Sequence, residues 1–319
     1  MTPAAPISSR ASAGPVPSPS EPVWKRASGT EIALLGGYFF ALIAITDILN
    51  VRLGVEILTC AVIFAAIAIS RLPLLFVRDW WFFLIGLIMW NLSGPIAANS
   101  TFPLHLDFML NIDKWLFFGN DPVVLVQQHL APSAHISALD VITSIGYNLH
   151  LTEPYVIGYF LWRLNRGLYL QFAAAALILL VLGLITFILF PAIPPWMASA
   201  RLHRIPDVVN RFGLTLHWHP LPFHGTPIFY LFTFRGDAVA AFPSEHAAFP
   251  LLELLVISRL RNRVLTLAFS LWVLWVAFTV VYLGEHWVAD VLAGYVYAIV
   301  IFLAVRWFTR SRRSPAQAV

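Results

Sequence analysis

Runs of about 20 apolar residues recur along this chain, and they limit its fold more than any other feature. A helix of that length crosses the hydrocarbon core of a bilayer, roughly 30 Å thick, and satisfies its own backbone hydrogen bonds there. Hydrophobic residues make up 59% of the 319 residues and charged residues 11%, whereas a soluble domain carries roughly 25% charged residues. The sequence therefore predicts an all-α integral membrane protein.

The apolar runs predict a polytopic membrane helical bundle of about eight transmembrane helices, within a range of roughly six to eight. The predicted spans are approximately residues 31–50, 54–70, 79–98 (interrupted by NLSGP), 138–162, 168–190, 239–258, 264–283 and 287–307. Two polar stretches separate them. Residues 99–137 predict a short interfacial helix and a turn, and residues 191–238 are too polar for lipid and too long for a plain connector.

Basic residues set the predicted orientation of the bundle. They cluster before the first span, after the second, fourth and sixth spans, and at the carboxyl end: Lys25, Arg26, Arg71, Arg78, Arg163, Arg166, Arg259, Arg261, Arg263, Arg306, Arg310, Arg312 and Arg313. Cytoplasmic loops carry such an excess, so a multi-pass protein of the cell (inner) membrane with both termini in the cytoplasm is predicted. Residues 1–30 are rich in Ala, Pro and Ser without an apolar signal region, which predicts a disordered cytoplasmic tail.

The 191–238 loop carries four arginines on the opposite, extracytoplasmic side: Arg201, Arg204, Arg211 and Arg235. Two interpretations stay open. Long loops cross the membrane whatever their charge, or these arginines bind an anion. The net charge of the chain is only +4, and nothing in the sequence suggests binding to nucleic acid.

Two histidine-containing stretches fall at this same predicted membrane face. FPSEHAAFP, residues 242–250, opens the sixth span, and GEHWVAD, residues 284–290, precedes the eighth. His286 and Asp290 are four residues apart, which places them on one face of a helix. A carboxylate there fixes the tautomer of the imidazole and makes the other ring nitrogen a better nucleophile or base. Burying such a pair at a membrane boundary is costly and is usually functional.

The FPSEHAAFP stretch predicts an anion site with an acid beside it. Ser244, preceded by Pro243, is a suitable helix cap, and the N–H groups and dipole of the helix start attract an anion. Ser244 could add a hydroxyl, and His246 could protonate a leaving oxygen. With His286 and Asp290 these groups predict phosphoryl transfer through a phosphohistidine. An ordinary cap with an interfacial histidine explains Ser244 well and His246 poorly.

A metal site is the competing interpretation, because His, Glu and Asp are also metal ligands. HxxxD is not a strong zinc spacing and no third ligand is evident, so neither a metal nor another cofactor is expected. His217, His219 and His224 of the loop are expected to be structural. Glu245 and Glu285 each precede a site histidine; we expect solvated interfacial carboxylates, with tuning of the histidine pKa as the alternative.

The two motifs together resemble a known family. PSEHA, followed about forty residues later by GEHWVADVLAGY, is similar to the second and third motifs of the type 2 phosphatidic acid phosphatase superfamily, Pro-Ser-x-His and Ser-Arg-x5-His-x3-Asp. The resemblance covers roughly residues 191–307. It implies that His286 is the nucleophile, Asp290 its partner, His246 the general acid and Ser244 a phosphate ligand, at the extracytoplasmic face.

The chain departs from the family pattern in its cationic residues. Thr279 and Val280 stand where the third motif has Ser-Arg, and the first motif, Lys-x6-Arg-Pro, is absent as such. The missing phosphate-binding cations must then come from elsewhere. Arg235, Arg201 and Arg204 are the candidates, and we prefer Arg235 because it is nearest to the second motif in sequence.

Two further segments resemble the inositol phosphorylceramide synthase branch of the superfamily. FPAIPPW, residues 190–196, places a Pro-Pro-Trp sequence before the Ser-His motif, and DKWLFFGNDP covers residues 113–122. The resemblance implies that phosphotransfer, and not only hydrolysis, belongs to the possible activities. The role of DKWLFFGNDP is left open, with shaping the headgroup pocket as one interpretation.

The chain is accordingly divided into a cytoplasmic tail (1–30), N-terminal transmembrane helices with an interfacial segment (31–137), a phosphatase- or phosphotransferase-type membrane core (138–307) and a basic cytoplasmic tail (308–319). The expected substrate is a lipid phosphate or phospholipid, cleaved by water or transferred to a lipid alcohol. The lipid, the acceptor and the oligomeric state stay open. A transporter or lipid scaffold with a proton relay is the alternative of another class, disfavoured because the last three spans hold few interior ionisable groups, Glu253 being the clearest.

Overall fold

The computed structural model describes residues 78–81, 85, 86, 89, 93, 96–133, 135–216 and 239–311. Its regular elements in these ranges are all helical, with isolated β-bridges between extended segments. The helices are α1 (Asp107–Leu116), α2 (Pro122–Leu130), α3 (Ala138–Leu164), α4 (Arg166–Leu189), α5 (Pro195–Ala200), α6 (Arg211–Leu216), α7 (Glu245–Ile257), α8 (Arg263–Tyr282) and α9 (Val288–Ser311), with a 3₁₀ turn at Ser258–Leu260. The predicted all-α fold is confirmed for this part of the chain.

Three of the described helices are long and apolar enough to cross a membrane. They are α4, α8 and the Val288–Arg310 part of α9, with mean hydropathies of 2.9, 2.3 and 2.3. Helix α3 also follows its predicted span closely. The predicted spans at 31–50 and 54–70 lie outside the described residues, so the number of about eight transmembrane helices stays a prediction.

Helix α7 is shorter than the span predicted at 239–258, because it begins at Glu245 and ends at Ile257. Pro243 has no backbone N–H to donate, and Ser244 accepts the Ala247 N–H on its Oγ at 3.3 Å, so the helix begins at this cap. Thirteen residues extend for about 20 Å, less than the roughly 30 Å of a hydrocarbon core. Ser244 and Glu245 are both buried, so the capped end lies inside the helical bundle.

Helix α7 is the centre of the described bundle, since it contacts α3, α4, α8 and α9. One buried apolar cluster forms where these helices meet and includes Phe172, Leu179 and Leu252. A second cluster, which includes Met109, Tyr147 and Trp287, packs the short helices α1 and α2 against the ends of α8 and α9. Packing of this second cluster fixes the turns that carry the two histidine motifs.

The predicted interfacial segment contains two short helices in place of one. Helix α1 buries Met109, Leu110 and Asp113 on one side and exposes Trp115 on the other. A turn with Gly119 at φ +90° leads into α2. The buried side of α1 packs on α9, so the segment is part of the bundle as well as of its surface.

The first part of the FPAIPPW segment, before helix α5, is held in an extended conformation between two other parts of the chain. The His105 N–H donates to Pro191 O at 2.8 Å, the Ala192 N–H donates to Val239 O at 2.9 Å, and the Ala241 N–H donates to Ala192 O at 3.2 Å. These backbone hydrogen bonds position the residues just before α7, including the carbonyl of Ala241.

Candidate active site

His286 lies in the turn between α8 and α9 and is only 4% exposed. Its Nδ1 is 2.9 Å from the carbonyl oxygen of Ala241 and 3.5 Å from Oδ2 of Asp290. Both neighbours are acceptors, so in the neutral imidazole Nδ1 carries the proton and Nε2 holds the lone pair. The turn thus presents an imidazole whose Nε2 has the lone pair that a nucleophile requires.

The second histidine lies directly against that lone pair. Nε2 of His286 is 3.1 Å from Nδ1 of His246, so His246 is the donor in this hydrogen bond. The buried ring of Tyr147, from α3, stacks on His246 with centroids 4.7 Å apart and planes 17° apart. Two motifs that are forty residues apart in the sequence are therefore in contact.

Asp290 connects the histidine pair with the capped end of α7. Its side chain is fully buried, and Oδ2 accepts the backbone N–H of Trp287 at 2.9 Å. Its backbone carbonyl accepts the Ser244 N–H at 3.0 Å. The two predicted motifs consequently share one hydrogen-bonded unit that includes Ser244, His246, His286 and Asp290.

Gly294 permits this close approach of α9 to the start of α7. A Cβ at Gly294 would overlap the carbonyl oxygen of Ser244, which is backbone and cannot rotate away.

We expect Gly294→Ala to destabilise the protein by about 1–3 kcal/mol through overpacking and to lower activity by separating Ser244 from Asp290. Thermal unfolding in detergent measures the first effect. Gly158→Ala is the control, because its Cβ would meet only side-chain atoms at 3.3–3.7 Å; equal unfolding midpoints for the two variants would contradict the prediction.

The FPAIPPW segment supports both sides of His286. The indole N–H of Trp287 donates to Ile193 O at 2.8 Å, and the Trp196 N–H donates to Gly284 O at 3.1 Å. Gly284 has φ +79°, in the left-handed region that favours glycine. The segment that the sequence marks as similar to one branch of the superfamily therefore acts as a backbone support for the turn.

The two aspartates of DKWLFFGNDP each accept backbone N–H groups from the start of a helix. Asp113 accepts the first two N–H groups of α9, on Oδ2 at 2.9 Å and Oδ1 at 2.7 Å. Asp121 accepts two N–H groups of its own helix α2 on the single oxygen Oδ1, at 2.9 and 3.2 Å. Burial raises the pKa of Asp113 to about 7, against the opposing effect of its backbone hydrogen bonds, and burial also raises the pKa of Asp121.

The predicted phosphate-binding arginines lie at the surface where the structure describes them. The guanidinium of Arg201 lies 5.7 Å from the centroid of the Trp196 ring. Arg204 pairs with Asp107 at 2.5 Å, and both side chains are more than half exposed. Arg235 lies outside the described residues. Their role in binding phosphate stays a prediction.

A buried arginine that sequence reasoning did not single out lies behind the site. Arg211 is 1% exposed and its Nε is 2.9 Å from Oδ1 of Asp140, which is fully buried. Tyr282 donates its hydroxyl to Asp140 at 2.8 Å, and the Arg211 N–H donates to Leu283 O at 3.2 Å. This group therefore ties α3 and α6 to the end of α8. Four loop arginines were apparent in the sequence, but no spacing indicated Asp140 as a partner.

The expectation that Glu245 and Glu285 are solvated carboxylates is wrong, because they are 3% and 6% exposed. Helix α7 begins within the bundle and presses Glu245 onto α4, where a Cβ at Gly183 would overlap its carboxylate. The burial of Glu245 follows from the position of this helix start, which the sequence analysis placed at the membrane interface.

Within the described ranges, no group of three or more His, Cys, Asp or Glu side chains is arranged to hold a metal ion. His217, His219 and His224 lie outside these ranges.

Comparison with protein families gives one match that covers most of this architecture. Residues 108–304, more than half of the chain, match the family described as the PAP2 superfamily. The matched range contains both histidine motifs, the Asp113–Pro122 segment and helices α2 to α8 in full.

Two curated proteins are similar to the chain in sequence. The chain is 29% identical over 199 residues to the phosphoinositol dihydroceramide synthase of Bacteroides thetaiotaomicron, an alignment that covers 60% of this chain and 64% of the relative. It is 26% identical over 200 residues to the inositol phosphorylceramide synthase catalytic subunit of Schizosaccharomyces pombe, covering 58% of this chain and 43% of that protein. The alignments thus span less than two thirds of either relative. No solved structure was found to match the chain.

Proposed function

The chain belongs to the PAP2 superfamily, and on this premise we propose that it is a membrane enzyme that cleaves or transfers a phosphoryl-containing group of a lipid, with His286 as the nucleophile. The geometry of His286 carries this proposal. Its Nδ1 faces two acceptors, and its Nε2 lies 3.1 Å from His246. A histidine with a fixed tautomer beside a second histidine is suited to covalent catalysis with acid–base assistance.

In the first step, Nε2 of His286 attacks phosphorus and the bond from phosphorus to the leaving oxygen breaks. His246 donates a proton to that oxygen, and Asp290 and the Ala241 carbonyl stabilise the charge that develops on the His286 ring. Nε2 of His286 and Nδ1 of His246 are 3.1 Å apart, which leaves no room for a phosphorus atom between them. Substrate must therefore displace His246 from its hydrogen bond with His286.

In the second step, an acceptor hydroxyl attacks the phosphohistidine. The phosphorus–nitrogen bond breaks, His246 takes the proton of the attacking oxygen, and His286 recovers its lone pair. Water as acceptor gives hydrolysis, and a lipid alcohol gives transfer. The same residues serve both outcomes, so the acceptor is decided by what the pocket admits.

The negative charge of the substrate phosphate is stabilised at the start of α7. The hydroxyl of Ser244 accepts the Ala247 N–H and keeps its own hydrogen for donation to a phosphate oxygen. The N-terminal end of a helix also carries a partial positive charge. Arg235, Arg201 and Arg204 remain the proposed sources of full positive charge, in the loop that the basic-residue pattern places at the extracytoplasmic face.

Transfer of a phospho-headgroup is the activity that the relatives favour. Both curated relatives are named as inositol phosphorylceramide-type synthases. We propose a phosphoinositide as donor and a ceramide-like lipid alcohol as acceptor, with hydrolysis of a lipid phosphate as the second candidate. The site would face the extracytoplasmic side of the cell (inner) membrane, with both termini in the cytoplasm.

Two parallel assays of the protein purified in detergent, both with a chelator present, test this proposal. One measures phosphate release from a panel of lipid monophosphates and diphosphates. The other supplies phosphatidylinositol with a fluorescent ceramide and measures a new fluorescent phosphodiester. We expect product in the transfer assay and its absence in His286→Gln.

Release of phosphate without transfer would assign the chain to hydrolysis. No product in either assay, from protein that is folded in detergent, would overturn the proposed function.

A further inference from the structure

Helix α9 begins without a side-chain cap of its own. The residue before it is Trp287, whose indole has only an N–H donor, and that donor is used on Ile193 O. The first N–H groups of a helix have no partner within the helix and need acceptors from elsewhere. This matters at α9 because Asp290, which contacts His286, lies in its first turn.

Asp113 supplies those acceptors from a helix that is 175 residues earlier in the chain. Its two carboxylate oxygens receive the N–H groups of Val288 and Ala289, one each. Asp290 receives the preceding N–H, of Trp287. The backbone N–H groups at the start of α9 are thus accepted by two fully buried carboxylates, one from α1 and one from α9 itself.

We propose that Asp113 is a positioning residue for the His286–Asp290 pair, because its carboxylate fixes the first turn of α9 at the point where Asp290 must reach His286. The inference rests on the proposed function of that pair.

The division of N–H groups explains why two carboxylates are needed. Without Asp113, the N–H groups of Val288 and Ala289 would be buried without an acceptor, and Asp290 is the nearest carboxylate on the same turn. Asp290 would then be drawn towards the helix start and away from His286, and the preference of His286 for a proton on Nδ1 would weaken. Asp113 therefore acts through Asp290 and does not touch substrate.

Asp121 provides a matched control for Asp113. Both aspartates are buried, both belong to DKWLFFGNDP, and both accept two backbone N–H groups at a helix start. Asp121 uses one oxygen, which asparagine also has, and asparagine is a good helix cap. Asp113 uses both oxygens, so Asp113→Asn would place an amide NH₂ group against a backbone N–H.

We expect Asp113→Asn to lower kcat about 100-fold with little change in KM, because a small misplacement of reacting groups costs about that much. Asp121→Asn should keep kcat within about threefold of the unmodified protein, since its cap is preserved. Both are measured in the assay in which the unmodified protein is active. Equal kcat values for the two variants would overturn the proposal.

Val288→Pro tests the same contact from the other side and covers the case in which Asp113→Asn does not fold. Proline is favoured at the first position of a helix and has no N–H, so it removes the group that the asparagine amide would oppose. The double variant Asp113→Asn with Val288→Pro should therefore have a kcat equal to or above that of Asp113→Asn alone. Independent, multiplying losses in the two variants would contradict a shared contact.

A substrate-independent readout separates this inference from the proposed function. In protein labelled with ¹⁵N-histidine in detergent micelles, the His286 signals, identified by their loss in His286→Gln, should show a proton on Nδ1. We expect Asp113→Asn to mix the tautomers and Asp121→Asn to leave them unchanged. An unchanged His286 spectrum in Asp113→Asn would overturn the positioning role, even if no substrate is found.

Discussion

Replacing His286 by glutamine is expected to lower turnover by about 10⁴-fold or more and to abolish any covalent phosphoenzyme, because the attacking lone pair is lost. Replacing His246 by glutamine is expected to lower turnover by about 10²–10⁴-fold, the usual contribution of a general acid and base. The difference follows from geometry. Nδ1 of His286 is held by Ala241 and Asp290 so that its Nε2 can attack, whereas His246 lies beside that nucleophile as a proton donor.

The His246 variant should also reveal the intermediate. We use a substrate analogue with an aryl leaving group, which departs as a stable anion and needs no proton. The first step then no longer needs His246, while the second step still needs it as a base. We expect ³²P from such an analogue of the substrate to accumulate on His246→Gln protein. The label should be lost in acid and retained in alkali, as is typical of a phosphorus–nitrogen bond, and peptide mapping should place it at His286.

His129→Gln is the matched control, since His129 is exposed at the end of α2 and its Nδ1 contacts the carbonyl oxygen of Leu125 in its own helix. It should keep the turnover of the unmodified protein. Label found on a residue other than His286, or full turnover in His286→Gln, would exclude the proposed nucleophile.

The sequence predicts those parts of the fold that depend on local pattern. Apolar runs of the length of a bilayer placed α3, α4, α8 and α9 within a few residues of their observed bounds. Pro243 and Ser244 predicted a helix cap, which the structure has at Ser244. The order of the predicted spans also placed the two histidine motifs at one membrane face, and the structure brings His246 and His286 into contact. The catalytic roles of these residues remain predictions.

Contacts between distant segments could not be predicted in this way. The bond from Asp113 to the start of α9 joins residues that are 175 and 176 positions apart, and no periodicity records such a pair. The burial of Glu245 depends on how deeply α7 starts within the bundle, which hydropathy alone does not give. DKWLFFGNDP and FPAIPPW resemble segments of the inositol phosphorylceramide synthase branch. Only the packed structure shows that residues of both segments hold the turn around His286.

The buried ion pair behind the site gives the second large expected effect. We expect Arg211→Ala to destabilise the protein by about 3–5 kcal/mol, because removing one partner leaves the carboxylate of Asp140 buried without its counter-charge. Arg204→Ala is the control in the same loop. Its ion pair with Asp107 is largely exposed, and such pairs contribute about 0–1 kcal/mol. Thermal unfolding in detergent should therefore show a large shift for Arg211→Ala and a small one for Arg204→Ala.

A double replacement separates the ion pair from other roles of Arg211. Arg211→Met with Asp140→Leu removes both buried charges together, and well-packed apolar replacements of a buried pair are often neutral or stabilising. Tyr282 then loses the acceptor of its hydroxyl hydrogen bond, so recovery should be partial. The double variant should be more stable than either single variant, and losses that simply add would contradict the pairing. If Arg211 instead bound substrate phosphate, Arg211→Ala would lose activity without losing stability. Burial of both partners at 1% and 0% exposure favours the structural role, in which Arg211 fixes the end of α8 from which the turn to His286 begins.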